Sequence, residues 1–104
     1  MSLSRTFPVS IDTIGDFVFR KRTIRDQIRI ESEASRITGG PVQDKDLRDV
    51  ALAMATLLVL TDQGPGGWDV EALDPLDKDS AAQLWLVFGG LRTAEEKFRG
   101  GSKA

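Results

Sequence analysis

Val50-Ala51-Leu52-Ala53-Met54-Ala55-Thr56-Leu57-Leu58-Val59-Leu60 carries no charge, and Thr56 is its only polar side chain. A surface helix alternates apolar and polar faces, whereas this run is apolar all round, the mark of a helix packed inside a core. The preceding residues Lys45, Asp46, Arg48 and Asp49 are polar, and Asp44 is placed to cap them. A helix over 45–61 is therefore expected, with its first turn near solvent and its Leu57–Leu60 end deepest. Gln63-Gly64-Pro65-Gly66-Gly67 cannot continue it. The expected fold is mainly α (α+β): a short N-terminal β-hairpin followed by three main helices, the second of them central and buried. Few elements remain to cover this helix, and any side they leave bare is where a second subunit is expected.

Upstream, Phe7, Val9 and Ile11 alternate with Pro8, Ser10 and Asp12, the period-two pattern of a half-buried strand. Thr13-Ile14-Gly15-Asp16 supplies turn chemistry, and Phe17-Val18-Phe19 alternates into Arg20. A β-hairpin over 6–22 follows, with Pro8 marking an edge strand. Two strands alone are marginal in water, so the hairpin must lie on helices or pair with another chain. Thr23 reads as an N-cap with Asp26 in the first turn, opening a helix over 23–38 that Gly39-Gly40 ends. Ile24, Ile28, Ala34 and Ile37, widened by Ile30, are expected to form its apolar arc. Arg25, Asp26, Arg29, Glu33 and Arg36 are expected on the wet side, with Arg29 and Glu33 as a favourable pair.

Downstream, Asp69 is placed to cap a short turn over 69–73, and a third helix is expected over 78–99. Its stripe is Ala81, Leu84, Phe88, Leu91 and Phe98, with Trp85 and Val87 alongside. Gly89-Gly90 predicts a kink, a break or a close backbone approach, since two interior glycines cost roughly 2 kcal/mol relative to alanine. Residues 1–5 and 100–104 read as flexible ends, leaving 6–99 as one domain.

Composition narrows the chemistry. The 104 residues suffice for one core without a metal or disulfide staple. Cysteine, histidine and tyrosine are all absent, which removes thiol nucleophiles, thiolate metal sites and the commonest general base. No catalytic residue is assigned. Asp74, Asp77 and Asp79 resemble the start of a calcium loop, but Ala81, Ala82 and Phe88 fall where that loop needs an acceptor oxygen, glycine and glutamate. Those aspartates read as helix caps, and no metal or cofactor is expected. Gly64-Pro65-Gly66-Gly67 lacks the lysine and hydroxyl of a phosphate loop. The longest apolar run has 11 residues, short of the ~18 of a membrane span. The N-terminus lacks the apolar stretch of a signal peptide, so a cytoplasmic location is expected.

Arg20, Lys21, Arg22, Arg25 and Arg29 form the one dense basic cluster. With a net charge of −2, an acidic protein surface suits it better than nucleic acid. A small DNA-binding regulator is the alternative that this cluster keeps open. Trp85 is expected between helices. Trp68 reads equally as core closure or as an interface anchor.

Several stretches carry a resemblance together. They are Phe17-Val18-Phe19-Arg20-Lys21-Arg22-Thr23-Ile24-Arg25-Asp26, the apolar helix before Gly67-Trp68-Asp69, Leu73-Asp74-Pro75-Leu76-Asp77, and a last helix with Leu91-Arg92 and Glu95-Glu96-Lys97-Phe98-Arg99. Over roughly residues 10–99 this layout resembles the small tail-assembly chaperones of long-tailed bacteriophages and prophages. The resemblance implies a helical, non-enzymatic protein that coats the tape-measure protein during assembly, and it carries no catalytic residues. Self-association would extend that cover along the partner. On this reading Phe17, Phe19, Arg20, Arg22, Arg25 and Trp68 are the expected partner contacts. A tail or baseplate adaptor that stays in the virion is the structural alternative.

Overall fold

A computed structural model of the chain describes residues 6–41, 43–73 and 77–101, with side chains as far as Lys97 in the last helix. Of the expected flexible ends, 1–5 and 102–104 lie outside the described residues, as does the side chain of Phe98, whereas Gly100 and Gly101, expected in the tail, continue the last helix. The fold is α+β, and the described residues form three α-helices and a three-stranded antiparallel sheet.

β1 (Thr6–Ile11) and β2 (Gly15–Arg20) form the expected hairpin, with Phe7 opposite Phe19, Val9 opposite Phe17 and Ile11 opposite Gly15. Their loop is Asp12-Thr13-Ile14, closed by a 3.1 Å bond from the Ile14 N–H to the Ile11 carbonyl. Alternation turns Phe7, Ile11, Phe17 and Phe19 inward, where all four are buried. The Phe17 and Phe19 rings lie parallel at 5.6 Å, and Phe7 tilts against Phe19 at 6.1 Å. β1 is an edge strand, and Pro8 sits in it.

α1 (Ile24–Thr38) opens on a full capping box. The Asp26 N–H donates to Thr23 Oγ1 and the Thr23 N–H donates to Asp26 Oδ2, each at 3.1 Å. Gly39 ends it in the left-handed conformation, φ 76°. The seating of this helix corrects the expected arc. Asp26, Ile30 and Ala34 face inward, whereas Ile24 is 84% and Ile28 64% exposed. Residues two apart lie on opposite helix faces, and the capping box with the Arg20 ion pair points the Asp26 side inward. Glu33 pairs with Arg36, not with Arg29.

α2 (Lys45–Leu60) is capped by Asp44, whose Oδ1 accepts from the N–H groups of Asp46 and Leu47. Lys45 to Asp49 are exposed, and no residue from Val50 to Leu60 is. Thr56, the one polar group of the run, donates to the Leu52 carbonyl at 2.7 Å and so satisfies itself within the helix. Leu57 and Leu60 are buried, as the polar-to-apolar gradient requires.

α2 passes straight into β3 (Thr61–Gln63), a strand that the sequence reading assigned to the helix end and the loop. It pairs antiparallel with β2, Thr61 opposite Phe19 and Gln63 opposite Val18, with a bulge between. β2 thereby becomes the central strand.

After the glycine loop, Val70–Ala72 makes one 3-10 turn that Asp69 caps. α3 (Lys78–Gly101) follows and runs unbroken through Gly89-Gly90. No kink was needed: the Ile11 side chain, with Val9 beside it, fills the place where a Gly90 Cβ would stand. The close approach is made by strand side chains, not by a backbone. The inward line of α3 is Leu84, Val87, Leu91 and Glu95, while Ala81 and Trp85 lie outside it.

Candidate functional site

The geometry divides the expected contact residues into two groups. Phe17 and Phe19 are fully buried. They are core, and the expected contact face around them is not on the surface. The sheet turns this side of β2 onto the helices, and each ring that size buried contributes on the order of 1.5–3 kcal/mol.

Arg20 and Arg22 are internal ties. An Arg20 nitrogen lies 3.1 Å from Oδ1 of Asp26, which is 1% exposed. Arg22 grips Glu95 with two parallel bonds, Nε to Oε2 at 3.1 Å and Nη2 to Oε1 at 3.0 Å. Its third nitrogen donates to Gln27 at 2.7 Å. Arg92 adds a 2.7 Å bond to the same Glu95, so one buried carboxylate joins the end of the hairpin to α1 and α3. Arg22, with all three nitrogens bonded and its side chain 17% exposed, is withdrawn from phosphate contact, whereas the Arg20 side chain stays 41% exposed. Arg25 stays outward, beside Arg29 on the same helix. Neither has an ion-pair partner among the described residues.

Trp68 is half-buried. Its ring meets Phe17 edge to face at 5.1 Å, and its Nε1–H donates to Gln83 on α3 at 2.9 Å. It pins the glycine loop over the core, which is the core-closure reading of the sequence. Trp85, expected between helices, is 44% exposed, and its ring meets that of Phe88 in a T-shaped pair at 6.1 Å.

What the sequence reading did not locate is a groove of about 330 Å³ between α2, the 3-10 turn and the start of α3. Val50 and Met54 of α2 form one wall, Val70 and Leu73 the end, and Ala81, Leu84 and Trp85 the other wall. The signal for it lay in α2, which is apolar on more sides than its neighbours cover. The volume is at the small end of ligand pockets, suited to one or two anchoring side chains. Methionine and tryptophan are the residue types that adapt to and anchor such contacts. Among the described residues no group of three or more acidic side chains gathers as a metal site, and no helix is long and apolar enough to cross a membrane.

Comparison with protein-family models, with curated proteins and with solved structures returned no match for this chain.

Proposed function

We propose that this protein is a non-catalytic tail-assembly chaperone, acting in the bacterial host cytoplasm, that holds an amphipathic helix of the tape-measure protein until the tail tube forms around it. The observation that carries the reading is the groove beside Val50 and Met54, where the central helix is left partly uncovered. An amphipathic helix binds such a groove by inserting a few apolar anchors at helical spacing. The chemistry on offer fits cover rather than catalysis: the buried carboxylates Asp26 and Glu95 are both held by arginines, and neither lines the groove.

Co-expression with the tape-measure protein tests this. A soluble complex is expected from the wild-type chain. Met54→Glu and Ala81→Glu, each placing a charge at the groove wall, should abolish the complex while far-ultraviolet circular dichroism stays unchanged. A folded chain that fails to co-purify would sink the proposal, and a complex that tolerates both substitutions would move the site elsewhere. Recovery of the protein in finished particles would favour the adaptor reading instead.

A further inference from the structure

One flank of α3 is exposed along its length, and its far end, at Thr93 and Lys97, borders the cleft between the helix and β1. Lys78, Ala82, Leu86, Gly89, Thr93 and Glu96 recur there at three- and four-residue spacing, and all six are exposed. Leu86 is 51% exposed at the middle of this line. We propose that this face is where a second copy of the chain binds, the two α3 helices lying antiparallel about a two-fold axis near residues 87 and 88. The pairing does not depend on the groove reading, since it uses a different face of the helix.

Two observations select a second copy as the occupant. The first is the order of charges. Lys78 and Asp79 open the helix, and Glu96 and Lys97 stand near its end. An antiparallel partner sets each Lys78 level with the partner's Glu96 and each Asp79 level with the partner's Lys97. A parallel partner would set like charges level. None of these four has an ion-pair partner among the described residues. Lys78 and Glu96 lie roughly 27 Å apart along the helix axis, far beyond reach of one another within one chain.

The second observation is Gly89. A glycine in an exposed helix interior costs about 1 kcal/mol relative to alanine. Ile11 accounts for Gly90, but nothing stands within 4 Å of where a Gly89 Cβ would be. The same antiparallel register that pairs the charges sets Leu86 of each copy against the hollow at the partner's Gly89. A surface that is its own complement under a two-fold rotation closes a dimer and leaves no open end.

Sedimentation of the full chain decides the matter. The wild type is expected at twice 11.4 kDa in the micromolar range, and Leu86→Glu at the single mass with an unchanged circular dichroism spectrum. Lys78→Glu and Glu96→Lys should each weaken the dimer roughly tenfold, as reversal of two rim pairs does. The double variant Lys78→Glu/Glu96→Lys should restore it, because both copies are then inverted together. Gly89→Ala should raise the melting temperature of the Leu86→Glu monomer yet loosen the wild-type dimer. A wild-type chain that stays monomeric up to about 100 μM would overturn the proposal. So would a dimer indifferent to Leu86→Glu, or single reversals that the double variant does not rescue.

Discussion

Thr13 carries the one positive φ of a non-glycine residue among those described, 69°, at the tip of the hairpin. A β-branched residue there presses its Cβ toward the following carbonyl, at a cost of roughly 1–2 kcal/mol. Asparagine tolerates this conformation, and Thr13 is exposed, so no packing is lost on replacing it. Thr13→Asn should therefore stabilise the chain by about 1 kcal/mol, raising the thermal midpoint by about 4–8 °C. A midpoint that falls would mean that Thr13 makes a compensating contact. Single residues also show where legibility ended. Thr23 and Asp26 could be read as a cap because the capping box is local, complete within four residues. The inward turn of Asp26 could not, because it depends on Arg20 arriving from the neighbouring strand.

At the scale of elements, patterns that settle their own geometry were readable and patterns that wait on a neighbour were not. The hairpin follows from alternation, and the buried second helix follows from a run with no polar face. β3 is three residues long and has no alternation to read; Thr61 and Gln63 are a strand only because β2 offers an edge beside the end of α2. Ile24 and Ile28 look like an arc in a linear sequence, yet hairpin and cap together rotate them outward. Gly89-Gly90 is the sharpest case. Propensity argues for a break, and packing against Ile11 and the rest of the inward line holds the helix continuous. Its two glycines accordingly predict opposite outcomes. Gly90→Ala should destabilise the chain by about 1–3 kcal/mol, because the new methyl group must displace Ile11. Gly89→Ala should not destabilise the isolated protomer. Thermal or denaturant unfolding of the two variants, side by side on the monomeric Leu86→Glu background, checks the pair. Equal destabilisation would mean that the helix needs both glycines for its backbone path.

For the molecule as a whole, Glu95 is the side chain that holds the two ends of the fold together. It is buried to 6% exposure and bonded by Arg22, 73 residues away, and by Arg92 one turn before it. Glu95→Ala would leave the largely buried Arg22 without its partner, and loss of such a partner typically costs about 3–5 kcal/mol. A reduction of about 3 kcal/mol in unfolding free energy is expected, with Glu95→Gln less severe because it keeps an acceptor. Denaturant titration measures both. A loss below about 1 kcal/mol, the range of a surface pair, would show that Arg22 simply finds water.

The position of β3 has a consequence for synthesis. β2 leaves the ribosome well before Thr61–Gln63, and its second edge is unpaired until that strand arrives. An open strand edge is a template for pairing with other chains, and one face of the same strand carries Phe17 and Phe19. At about 5–20 residues per second, the exposed interval lasts on the order of several seconds. The nascent chain is thus at its most adhesive midway through translation, and emergence of the central helix with its short terminal strand ends that window.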